Sequence, residues 1–281
     1  MVPGWSHHMV SARLIRVERY LRRRFPLVPL RDIAKKRAIE ILVAGCGTGQ
    51  HPIETARRFA GVQVLAVDLS LSSLCYAKRK TRELGLNNIE YAQADILQLP
   101  STGRLFDVVE ASGSLHHMAD PLAGWQMLVS ILRPGGLMRL GLYSRMARQD
   151  INDLRRSIAE RGYRPCAEDI RRFRQEIAGV GDNTSTRPAT ESEDFFSTSA
   201  CRDLLFHVQE NQLTLPEIKA FLSQDQLEFL GFELPGHVLQ HFRQRFHSEK
   251  AMIDLDLWHI FETENPLVFA GMYEFWIQKP N

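Results

Sequence analysis

Cysteine is scarce in this chain: Cys46, Cys75, Cys166 and Cys201 are four among 281 residues, and no two form a C-x-x-C pair. Thiols so scattered argue against a disulfide framework or a cysteine-built zinc site, and they suit a reducing, cytoplasmic compartment. Long apolar runs are also missing. No stretch approaches the roughly 20 residues that a membrane span requires, and the opening residues lack the apolar core of a secretion signal. Neither sign of charge dominates: 35 Lys and Arg stand against 33 Asp and Glu. That balance gives no overall drive toward nucleic acid or an anionic membrane. There are no internal repeats and no low-complexity tracts. What remains is an ordinary globular composition in a chain long enough for one large core, or one core with a cap. The opening Met1-Val-Pro-Gly-Trp-Ser-His-His-Met9 looks partly like an expression-vector remnant and is set aside.

The stretch Ile41-Leu-Val-Ala-Gly-Cys-Gly-Thr-Gly-Gln50 reads as an apolar strand running into a glycine turn, with a helical pattern from Pro52 to Phe59. Glycines there let a ligand approach bare backbone. The helix start behind them offers unpaired N–H groups. No lysine follows Gly49, which excludes a phosphate-binding P-loop. Gln50 stands where a dinucleotide fingerprint needs its third glycine.

Taken in order, Ser11 to Phe25 reads as a basic amphipathic helix with Leu14, Val17, Leu21 and Phe25 on one face. We read its arginines as a solvated face rather than a nucleic-acid patch. Strands follow at Ile39–Ala44, Gln63–Asp68, Ile89–Ala92, Phe106–Ala111 and Leu137–Tyr143. Ser70 caps one intervening helix, and Asp120-Pro121 opens another that runs to Leu132. This alternation predicts a doubly wound parallel sheet. After Tyr143 the pattern turns helical around Ile151–Ile158, Ile170–Ile177 and Ser199–Val208, with a polar loop from Gly179 to Asp194. Thr214-Leu-Pro-Glu217 is a capping box. Two last strands, Leu227–Leu234 and Ala270–Lys279, bring the expected sheet to seven.

The spacing Gly45-Cys-Gly-Thr-Gly49 closely resembles motif I of the class I S-adenosylmethionine (SAM)-dependent methyltransferases. Three further segments fall where that family would put them. Asp68 ends the second strand, Asp95-Ile96 follows the third, and Phe106-Asp-Val-Val-Glu110 runs on to Leu115-His116-His117. Leu132-Arg-Pro-Gly-Gly136 is another family signature. The resemblance covers Ile39 to Tyr143. It implies a Rossmann-like α/β fold with helices on both faces of a mostly parallel seven-stranded sheet. It also implies a SAM site built from Gly45, Cys46, Gly47, Gly49, Gln50, Asp68, Leu69, Asp95, Ile96, Glu110, Ala111 and Ser112. Asp68 would hold the ribose hydroxyls, and Asp95 and Ile96 the adenine. S-adenosylhomocysteine (SAH) would be the product. One departure stands out: the acid usual two residues before the first glycine is here Val43, and Glu110, Gln50 or Tyr20 are candidates to compensate.

The methyl group of SAM is electrophilic without help, so alignment is the main task. A base is needed only for a nucleophile whose proton has a high pKa. His116 and His117 are candidates for it, and Tyr143 for substrate contact. His237 and His241 read as a surface pair, because no glutamate follows His237, and no metal is expected. Phe195, Phe196 and Trp258 read as core. The expected layout is an N-terminal segment (1–38), a SAM-binding core (39–144), a helical substrate cap (145–226) and a C-terminal part completing the sheet (227–281). The whole chain also resembles methyltransferase domains of some bacterial tetratricopeptide proteins, without the repeats. The expected function is methyl transfer to oxygen, nitrogen or carbon of a small molecule. The alternatives are a protein or peptide acceptor, or a SAM-binding regulator without catalysis.

Overall fold

In Ile39–Ala44 (β1), Ile39, Ile41 and Val43 join the apolar cluster on one sheet face, and Leu42 and Ala44 the cluster on the other. A strand apolar on both faces belongs inside a parallel sheet covered by helices on both sides. The computed structural model, which describes residues 14–26, 28, 33, 36–179, 193–207 and 209–281, has that arrangement. Val62–Asp68 (β2), Ile89–Gln93 (β3), Phe106–Ser112 (β4) and Leu132–Ser144 (β5) lie parallel with β1. Gln212–Leu213 (β6) adds a two-residue strand to the end of β5. Glu228–Phe232 (β7) and Tyr273–Gln278 (β8) complete the order β3-β2-β1-β4-β5-β8-β7, with β8 antiparallel to both of its neighbours. The seven expected strands are the seven of this path. The eighth, β6, is too short to carry a period.

Helices Val17–Arg24 (α1), Gln50–Arg58 (α2) and Leu71–Glu83 (α3) cover one face. On α1, Val17 and Leu21 are fully buried, while Leu14 lies exposed before the helix. Residues 11–13, where that helix was expected to begin, lie outside the described residues. Pro121–Ser130 (α4) lies on the other face, with Asp120 capping it through the N–H groups of Leu122 and Ala123. It stops two residues before the expected Leu132, because Leu132 already pairs with Phe106 in the sheet.

Among the described residues, three helices then leave the sheet: Gln149–Glu160 (α5), Ala167–Gly179 (α6) and Thr198–Phe206 (α7). They share a cluster of their own, built on Ile151, Leu154, Ile170, Phe173, Phe195 and Leu205. The polar loop expected from Gly179 to Asp194 falls largely outside the described residues. Leu215–Gln224 (α8) corrects the expected cap boundary at 226. Its Leu215, Ile218 and Phe221 belong to the main core, and Phe221 stacks on Trp125 at 4.0 Å. The insertion therefore ends before β6. Gly236–Arg245 (α9) and Leu255–Glu264 (α10) close that face around the stacked pair Phe242 and Trp258.

Candidate functional site

Strand order reverses between β1 and β4, and a crevice at the carboxyl ends of strands is where open α/β sheets hold ligands. The glycine turn sits there. Gly49 has φ +90°, and a Cβ on it would lie 2.5 Å from that of Ala77. Only glycine lets α2 start so close to α3. Gly47 has φ +51° and nothing within 4 Å of where its Cβ would be, so the space above it is open to a ligand. Its N–H donates to Asp68 Oδ2 at 2.7 Å, and Asp68 Oδ1 accepts from Ser70 N–H at 2.8 Å. Each oxygen keeps a second lone pair, enough for two ribose hydroxyls. Cys46 turns its thiol inward, and burial, with Asp68 beside it, pushes that thiol up to about 12. Only its backbone faces the turn's ligand side. Gln50 is exposed and bonds Glu54.

Leu69, 68% exposed, follows Asp68 directly. An apolar side chain left in water beside such a turn is available to a flat ring. Asp95 caps a short 3-10 helix, Ile96–Thr102, by accepting from Leu97 N–H, and Ile96 is half-buried. The structure thus brings Gly45, Gly47, Gly49, Asp68, Leu69, Asp95 and Ile96 to the ends of β1, β2 and β3.

Two expected contacts on β4 need correction. Glu110 is only 2% exposed and is held by Thr55 Oγ1 at 2.7 Å and His51 Nε2 at 2.9 Å. Burial raises its pKa, but His51, Thr55 and Arg139 outweigh that and hold it ionised below the usual carboxylate range. It is enclosed, not open to a ligand. Ala111 is fully buried in the core on the other sheet face. Ser112 remains half-buried, 3.5 Å from Glu274. His51 drew no attention in the sequence, because its partner lies far away in the chain and only strand register brings the two together.

Beyond β4 and β5, rings stack in a row. His116 lies 4.0 Å from Tyr143 and 4.3 Å from His117, and His117 lies 4.0 Å from His207. The Arg148 guanidinium caps Tyr143 at 3.6 Å. His116 is buried with its Nδ1 unpartnered, and burial, together with His117, pushes it down to about 3. It is a wall rather than a proton acceptor, which corrects its place among the candidate bases. His117 is partly exposed, with Nδ1 3.3 Å from the Gln209 carbonyl. A carbonyl only accepts, so the proton sits on Nδ1 and Nε2 keeps its lone pair. His207, also unforeseen, accepts at Nδ1 from Gln209 N–H.

His117, Asp203 and His207 place donor atoms within 4.8 Å of one another. Of these, His207 Nδ1 already accepts from Gln209 N–H, and Asp203 is exposed. Among the described residues, Arg148 and Arg155 both pair with the enclosed carboxylate of Glu210, at 2.6 and 2.7 Å. This triad ties the helical insertion to the end of β5. His237 and His241 are both exposed on α9.

Comparison with known proteins agrees with this geometry. The sequence model of the methyltransferase domain matches residues 41–136. An uncharacterized protein of Synechococcus sp. is 29% identical over 208 residues, covering 68% of this chain and 48% of that protein. A ubiquinone biosynthesis O-methyltransferase of Cereibacter sphaeroides is 34% identical over 100 residues, covering 36% of this chain and 39% of that one. The chain thus spans about half the length, or less, of these curated relatives. Among solved structures, PKMT2 of Rickettsia typhi superposes with a TM-score of 0.65 over 92% of this chain and 51% of its own, at 16% identity, a likeness of fold. The residues present fit the cofactor of that family: an open glycine turn, a carboxylate with free lone pairs and an exposed apolar side chain beside it. Residues 41–136 thus match a methyltransferase domain, and the site they build resembles that of the class I SAM-dependent methyltransferases.

Proposed function

We propose that the chain transfers a methyl group from SAM to a small-molecule acceptor bound between the ends of β4 and β5 and the helical insertion. Asp68 would hold the ribose, Leu69, Asp95 and Ile96 the adenine, and the backbone of Gly45 to Gly49 the amino-acid end. Bound there, SAM supplies a sulfonium-activated methyl carbon. The chain's own part is to align the acceptor and shield it from water. Tyr143, half-buried and backed by the buried ring of His116, forms an aromatic wall for it. Nε2 of His117 takes a proton where the attacking oxygen or nitrogen carries one of high pKa.

The observation that carries the acceptor class is charge. The nearest buried carboxylate, Glu210, is spent on Arg148 and Arg155, and the wall itself ends in the Arg148 cation. Such a surface suits a neutral or weakly acidic acceptor better than a lysine ammonium. A protein acceptor is the second reading. It is favoured by the likeness of fold to PKMT2, which extends over 92% of this chain.

Calorimetric titration tests the cofactor. SAM and SAH should bind, and Asp68→Ala should weaken both by about 10- to 100-fold, the worth of hydrogen bonds to a charged group. A wild-type chain that binds neither would refute the assignment. Labelled SAM incubated with a cell extract tests the acceptor: label in the small-molecule fraction supports the first reading, and label confined to protein bands overturns it.

A further inference from the structure

The acid usual two residues before the first glycine is Val43, and the structure closes that position to a carboxylate. Val43 is 1% exposed, in the apolar cluster that holds Val17 and Leu21 of α1. Strand register pairs Val43 with Glu110 and Glu110 with Arg139, so the three stand in one row across one sheet face. An acid at 43 would be buried beside Glu110 with no cation of its own.

The same row leads into an unbalanced network. Arg139 bonds Glu233 and Glu274, both at 2.8 Å. Glu110 lies one strand away and also draws on Arg139's charge. Tyr20 and Trp276 donate to Glu233 at 2.6 and 3.0 Å. Three carboxylates therefore share one guanidinium among the described residues. A neutral histidine leaves that group with an excess of negative charge, which a ligand cation would complement.

Glu110 itself is enclosed, but His51 is only partly so. His51 is the second residue of α2, directly behind the glycine turn, and its side chain is 23% exposed. Its Nε2 lies 2.9 Å from Glu110 Oε2. Arg139 Nη1 is 3.3 Å from the same nitrogen, but the ionised carboxylate is closer and can only accept, so Nε2 carries the ring proton and donates it to Glu110. In the neutral ring, with Nε2–H so committed, Nδ1 carries the lone pair, and it has no partner among the described residues. We infer that His51, oriented by Glu110, accepts a hydrogen bond from the ammonium of the cofactor's amino-acid end, in place of the missing acid. His51 is the binding residue and Glu110 a positioning residue, and the inference rests on the SAM reading above.

The test compares two probes by calorimetry. SAH carries the amino-acid end, whereas 5′-methylthioadenosine shares the nucleoside and thioether and lacks that end. His51→Ala should cost SAH about 10- to 100-fold in affinity and leave methylthioadenosine unchanged. Glu110→Gln should lower SAH affinity selectively but less, and His51→Asn, whose amide oxygen stands near the Nδ1 position, should recover part of it. Equal losses for both probes would mean a merely structural histidine and overturn the inference, as would an unchanged SAH affinity in His51→Ala. A wild-type chain that binds methylthioadenosine but not SAH would overturn this inference alone, while one that binds neither would overturn the SAM reading and this one with it.

Discussion

Two glycines of one turn answer to different constraints, and substitution separates them. At Gly49 a methyl group meets both a left-handed φ and the Cβ of Ala77 at 2.5 Å. Backbone strain and overpacking each cost about 1–3 kcal/mol. Gly49→Ala should therefore lower unfolding free energy by about 2–6 kcal/mol, read from denaturant melts. At Gly47 the methyl meets nothing, so Gly47→Ala should cost only about 1 kcal/mol of strain and show its main effect as weaker SAH binding. Equal stability losses in the two variants would contradict the open space over Gly47. The glycine spacing and Asp68 were legible because their geometry is local: a turn and the end of the next strand. His51 was not, since it reads as a helix residue; Glu110 was named as a candidate to make up for Val43, but as a direct ligand contact and not as the partner of His51. Only the register of β1 and β4, which sets Glu110 beside Val43 on the face that α2 covers, gives them a shared purpose.

At the scale of elements, periodicity located nearly every strand and helix but could not say what each helix packs against. The capping box at Thr214 was read correctly: Glu217 N–H bonds the Thr214 hydroxyl, and the Glu217 carboxylate accepts from Thr214 N–H. The ownership of α8 was not legible, because an amphipathic stripe looks the same whether it faces an insertion or a sheet. The insertion's cluster contains no residue of the sheet, which gives it an energetic life of its own. Phe173, fully buried at its centre, should on replacement by alanine destabilise α5, α6 and α7 by about 3–5 kcal/mol. Hydrogen exchange should speed in those helices while protection in β1 and β4 and affinity for SAH hold steady. A uniform rise across the sheet would show that the two clusters melt as one.

At the scale of the whole molecule, the insertion and the sheet are joined through a charge that titrates. Burial raises the Glu210 pKa, but hydrogen bonding to Arg148 and the charges of Arg148 and Arg155 outweigh it and leave it below its usual 4.5. A depressed carboxylate stabilises fully above its unfolded value, and that contribution is lost as pH falls through the folded one. Glu210→Gln leaves buried Arg148 and half-buried Arg155 without a counter-charge, a loss of about 3–5 kcal/mol at neutral pH. The gap in melting temperature between wild type and variant should be widest near neutrality and narrow as pH drops below about 4.5. A gap that stays constant down to acid pH would mean the triad adds nothing that depends on ionisation.

The two-residue strand β6 has a consequence of another kind. The chain leaves the sheet at Ser144 and, after the segment that carries α5, α6 and α7, returns to pair Gln212 with Tyr143 and Leu213 with Ser144. Exit and re-entry are neighbours in space, so the polypeptide path through the sheet is the same whatever lies between them. A foreign helical module could be spliced between those two points, or a few linker residues laid across them, with no strand rethreaded. A fold wired in this way can exchange the part that meets the acceptor while keeping the part that meets the cofactor.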